Sequence, residues 1–262
     1  MRFKLQIIGC YASTPRTLSN PTAQVLELGK ELFLIDCGEG TQKEMRAAKV
    51  KFNKLSRVFI SHLHGDHFYG LPGLVTTMAA MGRTTPLLVY GPKGIQEVMT
   101  RILRASSSWT NYPLQFIELD QTTSTLIYES DEVRVHTLPL KHRIYTNGFL
   151  FEQRIETTYS KRYAYCSDTA FHEELVSHIQ GTQVLYHEST FLETERHLCE
   201  KTGHCTALQA GQMAKISGIK TLILGHYSTR YKSLELFREE AAKAFDFECI
   251  ELAEDQKQFT FD

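Results

Sequence analysis

The sequence predicts an α/β (α+β) protein built as a four-layer αβ/βα sandwich, with residues 1–262 in a single domain. Three observations predict it. The chain has 262 residues, 42% of them hydrophobic and 23% charged, which suits a soluble fold with a sizeable core. It runs through two successive blocks in which strand-like segments are followed by helix-like ones, the pattern of two sheets with helices outside. No repeat, low-complexity tract or linker-like stretch separates the blocks.

The elements follow in order. In "FKLQIIGC" apolar residues alternate, as in a half-buried strand, and "AQVLELG" and "ELFLIDCG" continue the theme. "GEGTQKEMRAAKV" reads as a helix with a Gly-rich entry, and "RVFIS" as a buried strand. "GLPGLVTTMAAMGR" is a helix with proline near its start, "PLLVYGP" a strand, and "GIQEVMTRILRAS" a helix. In the second block "LQFIEL", "STLIYES", "EVRVHTLPL", "TNGFLFEQ" and "YAYCSD" read as strands. "HEELVSHI" is a short helix and "VLYHES" a strand. "CTALQAGQMAKISG" is a helix closed by Gly218, "TLILGHYS" a strand, and "SLELFREEAAKAF" a helix.

The formal net charge of −1 gives no global pull toward nucleic acid or membrane. No apolar run approaches the roughly 20 residues of a spanning helix, and the apolar stretch near the start is too short for a signal peptide. The six cysteines include no C-x-x-C pair, so free thiols in the cytoplasm are expected.

The chemistry concentrates in "ISHLHGDHFYGLPGL", residues 60–74. In an extended segment residues two apart face the same way, so His62 and His64 can grip one ion. Asp66 and His67, past Gly65, can grip a second. Imidazole and carboxylate are good ligands for zinc. His142 in "LPLKHRI", Asp168 in "YAYCSDT" and His226 in "LILGHYS" each follow an apolar strand, where strand ends should converge. His136 reads as a strand-face residue, and His172, His178 and His197 as surface histidines.

"SHLHGDH" with strand-end His, Asp and His resembles the metallo-β-lactamase superfamily. "FLIDCGEGTQ", "HLHGDHFYGLPGL", "LPLKHRI", "HEST", "GHCTALQA" and "LGHYSTRY", six blocks in one order, resemble ribonuclease Z, the tRNA 3′-processing endonuclease family. The resemblance implies two zinc ions per chain. His62, His64 and His142 would hold the first, Asp66, His67 and His226 the second, with Asp168 bridging. Manganese or iron fits the same ligands, although di-iron redox members of the superfamily tend to carry a carboxylate where this chain has His64. The substrate implied is pre-tRNA, cut at its 3′ side to leave a 3′-hydroxyl, by a homodimer with no membrane attachment.

The resemblance also implies a mechanism. The metal pair would neutralise the phosphodiester and activate water, and Asp66 would take the water's proton. His204 in "GHCT" would be the general acid, oriented by Glu188, with Cys205 where the family more often has serine. Thr206 and Gln209 also look like a capping box, so a helix-entry role for this loop stands beside the catalytic one. Arg230 in "HYSTRY" is a candidate phosphate clamp; an ordinary loop arginine fits equally. Lys49, Lys51, Lys54 and Arg57 could guide an RNA backbone, or mark an exposed helix end. Gly38, Gly40, Gly70 and Gly73 read as serving backbone geometry near the site.

Two departures bear on substrate. The family's long protruding arm, which grips the tRNA elbow, is replaced by the hairpin-sized "QRIETTYSKR", residues 153–162. The loop linked to the tRNA 3′ end reads "PRTLSN", with Arg16 a partial substitute for the family's basic residues. These departures keep open an alternative, a related dinuclear zinc phosphodiesterase acting on small phosphodiesters or cyclic nucleotides.

Overall fold

The computed structural model describes residues 3–14, 17 and 19–262. Arg16 and the rest of the "PRT" segment's uncertain positions, Pro15 and Leu18, lie outside the described residues. The chain divides into two compact units, residues 1–120 with 254–262, and residues 121–253.

The first unit holds β1 (Phe3–Gly9), β2 (Ala23–Leu28), β3 (Glu31–Ile35), β4 (Leu55–Phe59), β5 (Leu87–Pro92), β6 (Leu114–Leu119) and the chain's last strand, β14 (Gln258–Phe261). They form one mixed sheet in the order β14-β1-β2-β3-β4-β5-β6. β14, β1, β2 and β3 are mutually antiparallel, whereas β3 to β6 run parallel. The parallel pairs need crossovers, which are α1 (Thr41–Ala47), then α2 (Gly65–Phe68) with α3 (Leu71–Ala80), then α4 (Ile95–Ala105). α4 shows how the sequence sets its packing. Ile95, Met99 and Leu103 recur every four residues and are buried, each contributing roughly 1.5–3 kcal/mol. They join Leu74, Val75 and Met78 of α3 and Val58, Val89 and Leu34 of the sheet in one core. Phe33, Ile35, Phe59 and Tyr90 are buried too, so both faces of this sheet are covered.

The second unit holds β7 (Leu126–Glu129), β8 (Val133–Pro139), β9 (Asn147–Ile155), β10 (Thr158–Cys166), β11 (Val184–Glu188), β12 (Thr221–Gly225) and β13 (Ile250–Leu252), in the sheet order β13-β12-β11-β10-β9-β8-β7. β7 to β10 form an antiparallel meander, and β10 to β13 run parallel. The helices of this unit are α5 (Val176–Ile179), α6 (Arg196–Thr202), α7 (Ala207–Ile216) and α8 (Glu235–Ala241). β11 and β12 are continuous apolar runs, buried along almost their whole length, as strands covered on both faces must be.

Several expectations are corrected. α5 is a single turn entered through a 3₁₀ segment, because "HEELVSHI" buries only Leu175 and Ile179. α6, β13 and β14 carry no clear periodic signal and were not expected. The "QRIETTYSKR" connection is shorter than its length implied. Thr158 pairs with Ile155, so both flanks belong to strands and only Glu156 and Thr157 turn the chain, with Glu156 at φ 55°. His172 is buried rather than on the surface, whereas His197 is exposed. His136 lies on β8, its Nε2 3.3 Å from the Glu152 carboxylate, as a strand-face residue should.

Candidate active site

Each unit places its polar residues at the carboxyl ends of its strands, the usual edge for function in parallel sheets. Three residues just past strand ends take the left-handed conformation without being glycine: Asp36 after β3 (φ 57°), Asp168 after β10 (φ 59°) and His226 after β12 (φ 58°). Asp and His enter this region more readily than most residues. The strain, on the order of 1–3 kcal/mol each, is of the kind stored at functional sites.

In the first unit His62 follows β4 by three residues and is fully buried. Its Nδ1 lies 3.0 Å from the Ser61 hydroxyl, and its Nε2 lies 3.0 Å from Nδ1 of His64. The two-apart spacing therefore converges two ring nitrogens, as the extended segment predicts. His67 lies in α2, with its Nδ1 donating to Asp36 Oδ2 at 2.7 Å and its Nε2 3.5 Å from Asp66 Oδ2. Asp66 also accepts the Ser13 backbone N–H at 2.8 Å. The change of direction at Gly65 comes from the start of α2 and not from a glycine-only dihedral. A Cβ there would meet the Tyr69 ring at 2.5 Å. Gly70 is needed for a close approach, since a Cβ would stand 2.0 Å from the Gly38 carbonyl.

Asp36 is a residue the sequence reading passed over. It is fully buried and accepts from the Ser61 backbone N–H (2.7 Å), the Ser61 hydroxyl (2.8 Å) and His67. The signal was present: "FLIDCG" is an apolar strand ending in aspartate, the same pattern that singled out Asp168. Such a carboxylate fixes the ring orientation and tautomer of a metal-binding histidine. Asp36→Asn, which keeps the shape and the left-handed backbone, is expected to weaken zinc affinity about 10- to 100-fold, measured by competition with a fluorescent chelator. Unchanged affinity would mean Asp36 serves folding alone.

In the second unit His142 follows β8, Asp168 follows β10, Glu188 ends β11, and His226 follows β12. His226 Nε2 lies 3.0 Å and His142 Nε2 3.7 Å from the Asp168 carboxylate. His204 Nε2 lies 4.0 Å from it. The other nitrogen of each ring is tied down. His142 Nδ1 donates to the Gly203 carbonyl at 2.8 Å, His226 Nδ1 lies 2.9 Å from the Thr190 hydroxyl, and His204 Nδ1 lies 2.7 Å from Glu188 Oε1. Burial pushes the His142 imidazole below its ordinary value, against the pull of Asp168. A neutral imidazole with Nδ1 occupied presents the Nε2 lone pair, the form a metal ion takes. The donor set therefore fits a divalent metal, and Asp168, His204 and His226 bring ligand atoms within 4.8 Å of one another.

Glu188 has no exposure, yet five contacts hold it as a carboxylate: the N–H groups of Thr169, Thr190 and Cys205, the Thr190 hydroxyl, and His204. Burial pushes its carboxyl up, but the charge and hydrogen bond of His204 outweigh it and the net shift is down. Cys205, where serine was the family's choice, donates its thiol to the Thr169 carbonyl at 2.9 Å. Thr206 and Gln209 form the capping box of α7, so the loop carrying His204 is anchored at both ends. Arg230 is exposed, its Nε 3.1 Å from the Ser228 hydroxyl and its guanidinium 5.3 Å from the Phe191 ring centroid. Of the basic cluster, Lys49, Lys51 and Lys54 line a groove of ≈ 340 Å³ with Lys4 and Lys30, whereas Arg57 is half-buried and paired with Glu31 at 3.2 Å.

The geometry agrees with the chain's relatives. A ribonuclease Z from Parabacteroides distasonis is 36% identical, over 93% of this chain and 94% of its own length. The profile of the family described as anti-Pycsar protein Apyc1 matches residues 3–241. The chain belongs to the ribonuclease Z family and to the family described as anti-Pycsar protein Apyc1. Among solved structures, the short form of human tRNase Z is 27% identical with a TM-score of 0.81, over 98% of both chains. The metallo-β-lactamase fold protein YhfI from Bacillus subtilis shares the fold at 19% identity and a TM-score of 0.80, over 100% of both chains. The chain thus has the metallo-β-lactamase fold, two mixed sheets with flanking helices, and a divalent metal site. The Parabacteroides alignment spans 287 positions but takes up 93% of the 262 residues here, about 244, so roughly 43 positions of that ribonuclease Z have no counterpart in this member of the family.

Proposed function

We propose that the chain is a dinuclear zinc endoribonuclease that hydrolyses pre-tRNA at its 3′ side, releasing the 3′ trailer and leaving a 3′-hydroxyl on the tRNA. The observation that carries the chemistry is the group of Asp168, His226, His204 and Glu188, in which ligand nitrogens and a positioned acid share one strand-end cluster. The kinship to ribonuclease Z carries the substrate. Zinc and a count of two rest on the nitrogen-rich ligand set: His62, His64 and His142 for one ion, Asp66, His67 and His226 for the other, Asp168 shared. The two units are taken as halves of one metallo-β-lactamase domain, supported by a family profile that crosses their boundary. A homodimer acting in the cytoplasm completes the proposal; no helix among the described residues is long and apolar enough to cross a membrane.

When bound, the metal pair supplies charge neutralisation at the phosphodiester and a nucleophile at neutral pH. The chain's own groups do the rest. Asp66 accepts the attacking water's proton. The water oxygen bonds to phosphorus as the bond to the tRNA 3′ oxygen breaks. His204 donates the proton from Nε2 to that oxygen, while Glu188 holds Nδ1 and stabilises the charged ring. Arg230 steadies the phosphate backbone outside the reacting centre.

A second reading is favoured by specific observations: the substrate is a small phosphodiester or a cyclic nucleotide. The two-residue turn between β9 and β10 stands where the family's tRNA-gripping arm is expected, and the match to the Apyc1 family supports a branch distinct from the tRNA processors. Incubating the zinc-loaded protein with a 3′-extended pre-tRNA, a chromogenic phosphodiester and 3′,5′-cyclic nucleotides decides between the two. Release of the 3′ trailer is the expected result. Intact pre-tRNA beside brisk turnover of a small ester or cyclic nucleotide would replace the first reading by the second.

A further inference from the structure

The loop that carries His142 also walls a cavity of ≈ 730 Å³ in the second unit, whose lining includes Leu140, Lys141, Arg143, Ile144, Tyr145 and His172. This volume is in the range of small-ligand sites and far above what a phosphate or a water needs. Its most unusual feature is His172. The residue is 7% exposed, and neither ring nitrogen has a hydrogen-bond partner among the described residues. Glu174 stands 3.5 Å from Nδ1, but it is largely exposed and engaged by Lys141. Buried polar groups are nearly always satisfied, so an orphaned imidazole lining a cavity calls for a ligand.

The lining defines the ligand's chemistry. Burial first, and the nearby Lys141 charge second, lower the His172 imidazole to about 4, so it stays neutral at physiological pH. A neutral imidazole offers one donor and one acceptor in a single plane. Tyr145 adds an aromatic face fixed in place by its hydroxyl, which donates to the Gln121 carbonyl and Asn147 Oδ1, each at 3.0 Å. Ile144 adds an exposed apolar side chain. Lys141 and Arg143 put positive charge at the rim. A flat heterocycle with donor and acceptor groups on its edge and a phosphate attached matches every one of these features.

We propose that this cavity is a nucleobase-binding subsite, in which His172 bonds to the edge of the base belonging to a nucleotide at the scissile phosphodiester. This rests on the reading of the chain as a nucleotide phosphodiesterase, and it holds for an RNA or a cyclic nucleotide alike. The base packs on Tyr145 and Ile144, and its phosphate side faces the end of the cavity lined by His142.

The test uses the zinc-loaded protein and calorimetric titration with adenosine, cytidine, guanosine and uridine 5′-monophosphates, against ribose 5-phosphate as the base-free probe. At least one nucleotide is expected to bind about ten-fold or more tightly than ribose 5-phosphate. His172→Phe, which keeps a ring but removes both nitrogens, should bring that ratio close to one, and His172→Gln should restore part of it. Equal binding of all four nucleotides and ribose 5-phosphate overturns the proposal, as does a preference that survives in His172→Phe. Nitrogen-15 spectra of the imidazoles keep the test decisive if a variant misfolds: the nucleotide must shift the His172 signals and ribose 5-phosphate must not. Phosphodiester turnover is scored separately. Nucleotide preference without turnover would count against the hydrolase reading alone, and turnover without preference against the subsite alone.

Discussion

His204→Ala is expected to slow phosphodiester hydrolysis by about 10²- to 10⁴-fold while leaving the bound zinc at the level of the parent protein. The reason lies in how the ring is held. Nδ1 is committed to Glu188 at 2.7 Å, so only Nε2 can exchange a proton with substrate. Glu188 is itself locked by three backbone N–H groups and the Thr190 hydroxyl, so the ring has little freedom to turn. A positioned acid of this kind lowers the barrier to departure of the 3′ oxygen. Its removal should therefore act on kcat, with the largest loss on esters whose leaving group is a poor one. A nitrophenolate leaves without help, so a chromogenic ester should lose less than an alkoxide ester. The cluster of Asp168, His204 and His226 could also hold an ion. Elemental analysis of the variant separates the roles: a fall in zinc would make His204 a ligand and not an acid.

Asp168→Asn should have an effect at least as large. Asp168 is almost wholly buried and stands within 3.0–4.0 Å of His226, His142 and His204. Its carboxylate is the one negative charge facing these three imidazoles in their cluster. Asparagine tolerates the left-handed backbone at this position but brings no charge, so the fold should survive. We expect loss of zinc and a fall in turnover on the order of 10³-fold or more, several kcal/mol of transition-state stabilisation. Retained zinc and near-normal turnover in this variant would show that Asp168 does not bridge.

Much of this was legible in the sequence because strand-end chemistry has a simple signature. An apolar run that stops abruptly at His, Asp or Glu marks His62, His142, Asp168 and His226 without any structure. The period of two in "HLH" anticipates the 3.0 Å approach of His62 and His64. Asp36 carried the same signature and was missed because it stands alone, with its partner His67 31 positions away. His172 was misjudged because its neighbours Glu173 and Glu174 are charged and exposed, which hides a buried ring between them and Thr169. The last strand, β14, was missed because "QFTF" is too short to show a period, and its stability comes from pairing with β1 from the far end of the chain. The tight β9–β10 turn was half-seen. A short connection was evident, but not that "QRI" and "TYS" are themselves ladder residues.

The most direct test of the central claim is a zinc titration of the metal-free protein with phosphodiester turnover as the readout. Turnover should be absent at the start, rise with added zinc and saturate at two ions per chain. Turnover that persists in the metal-free protein, or that never appears at any zinc concentration on either pre-tRNA or a small ester, would contradict the assignment of a dinuclear zinc phosphodiesterase.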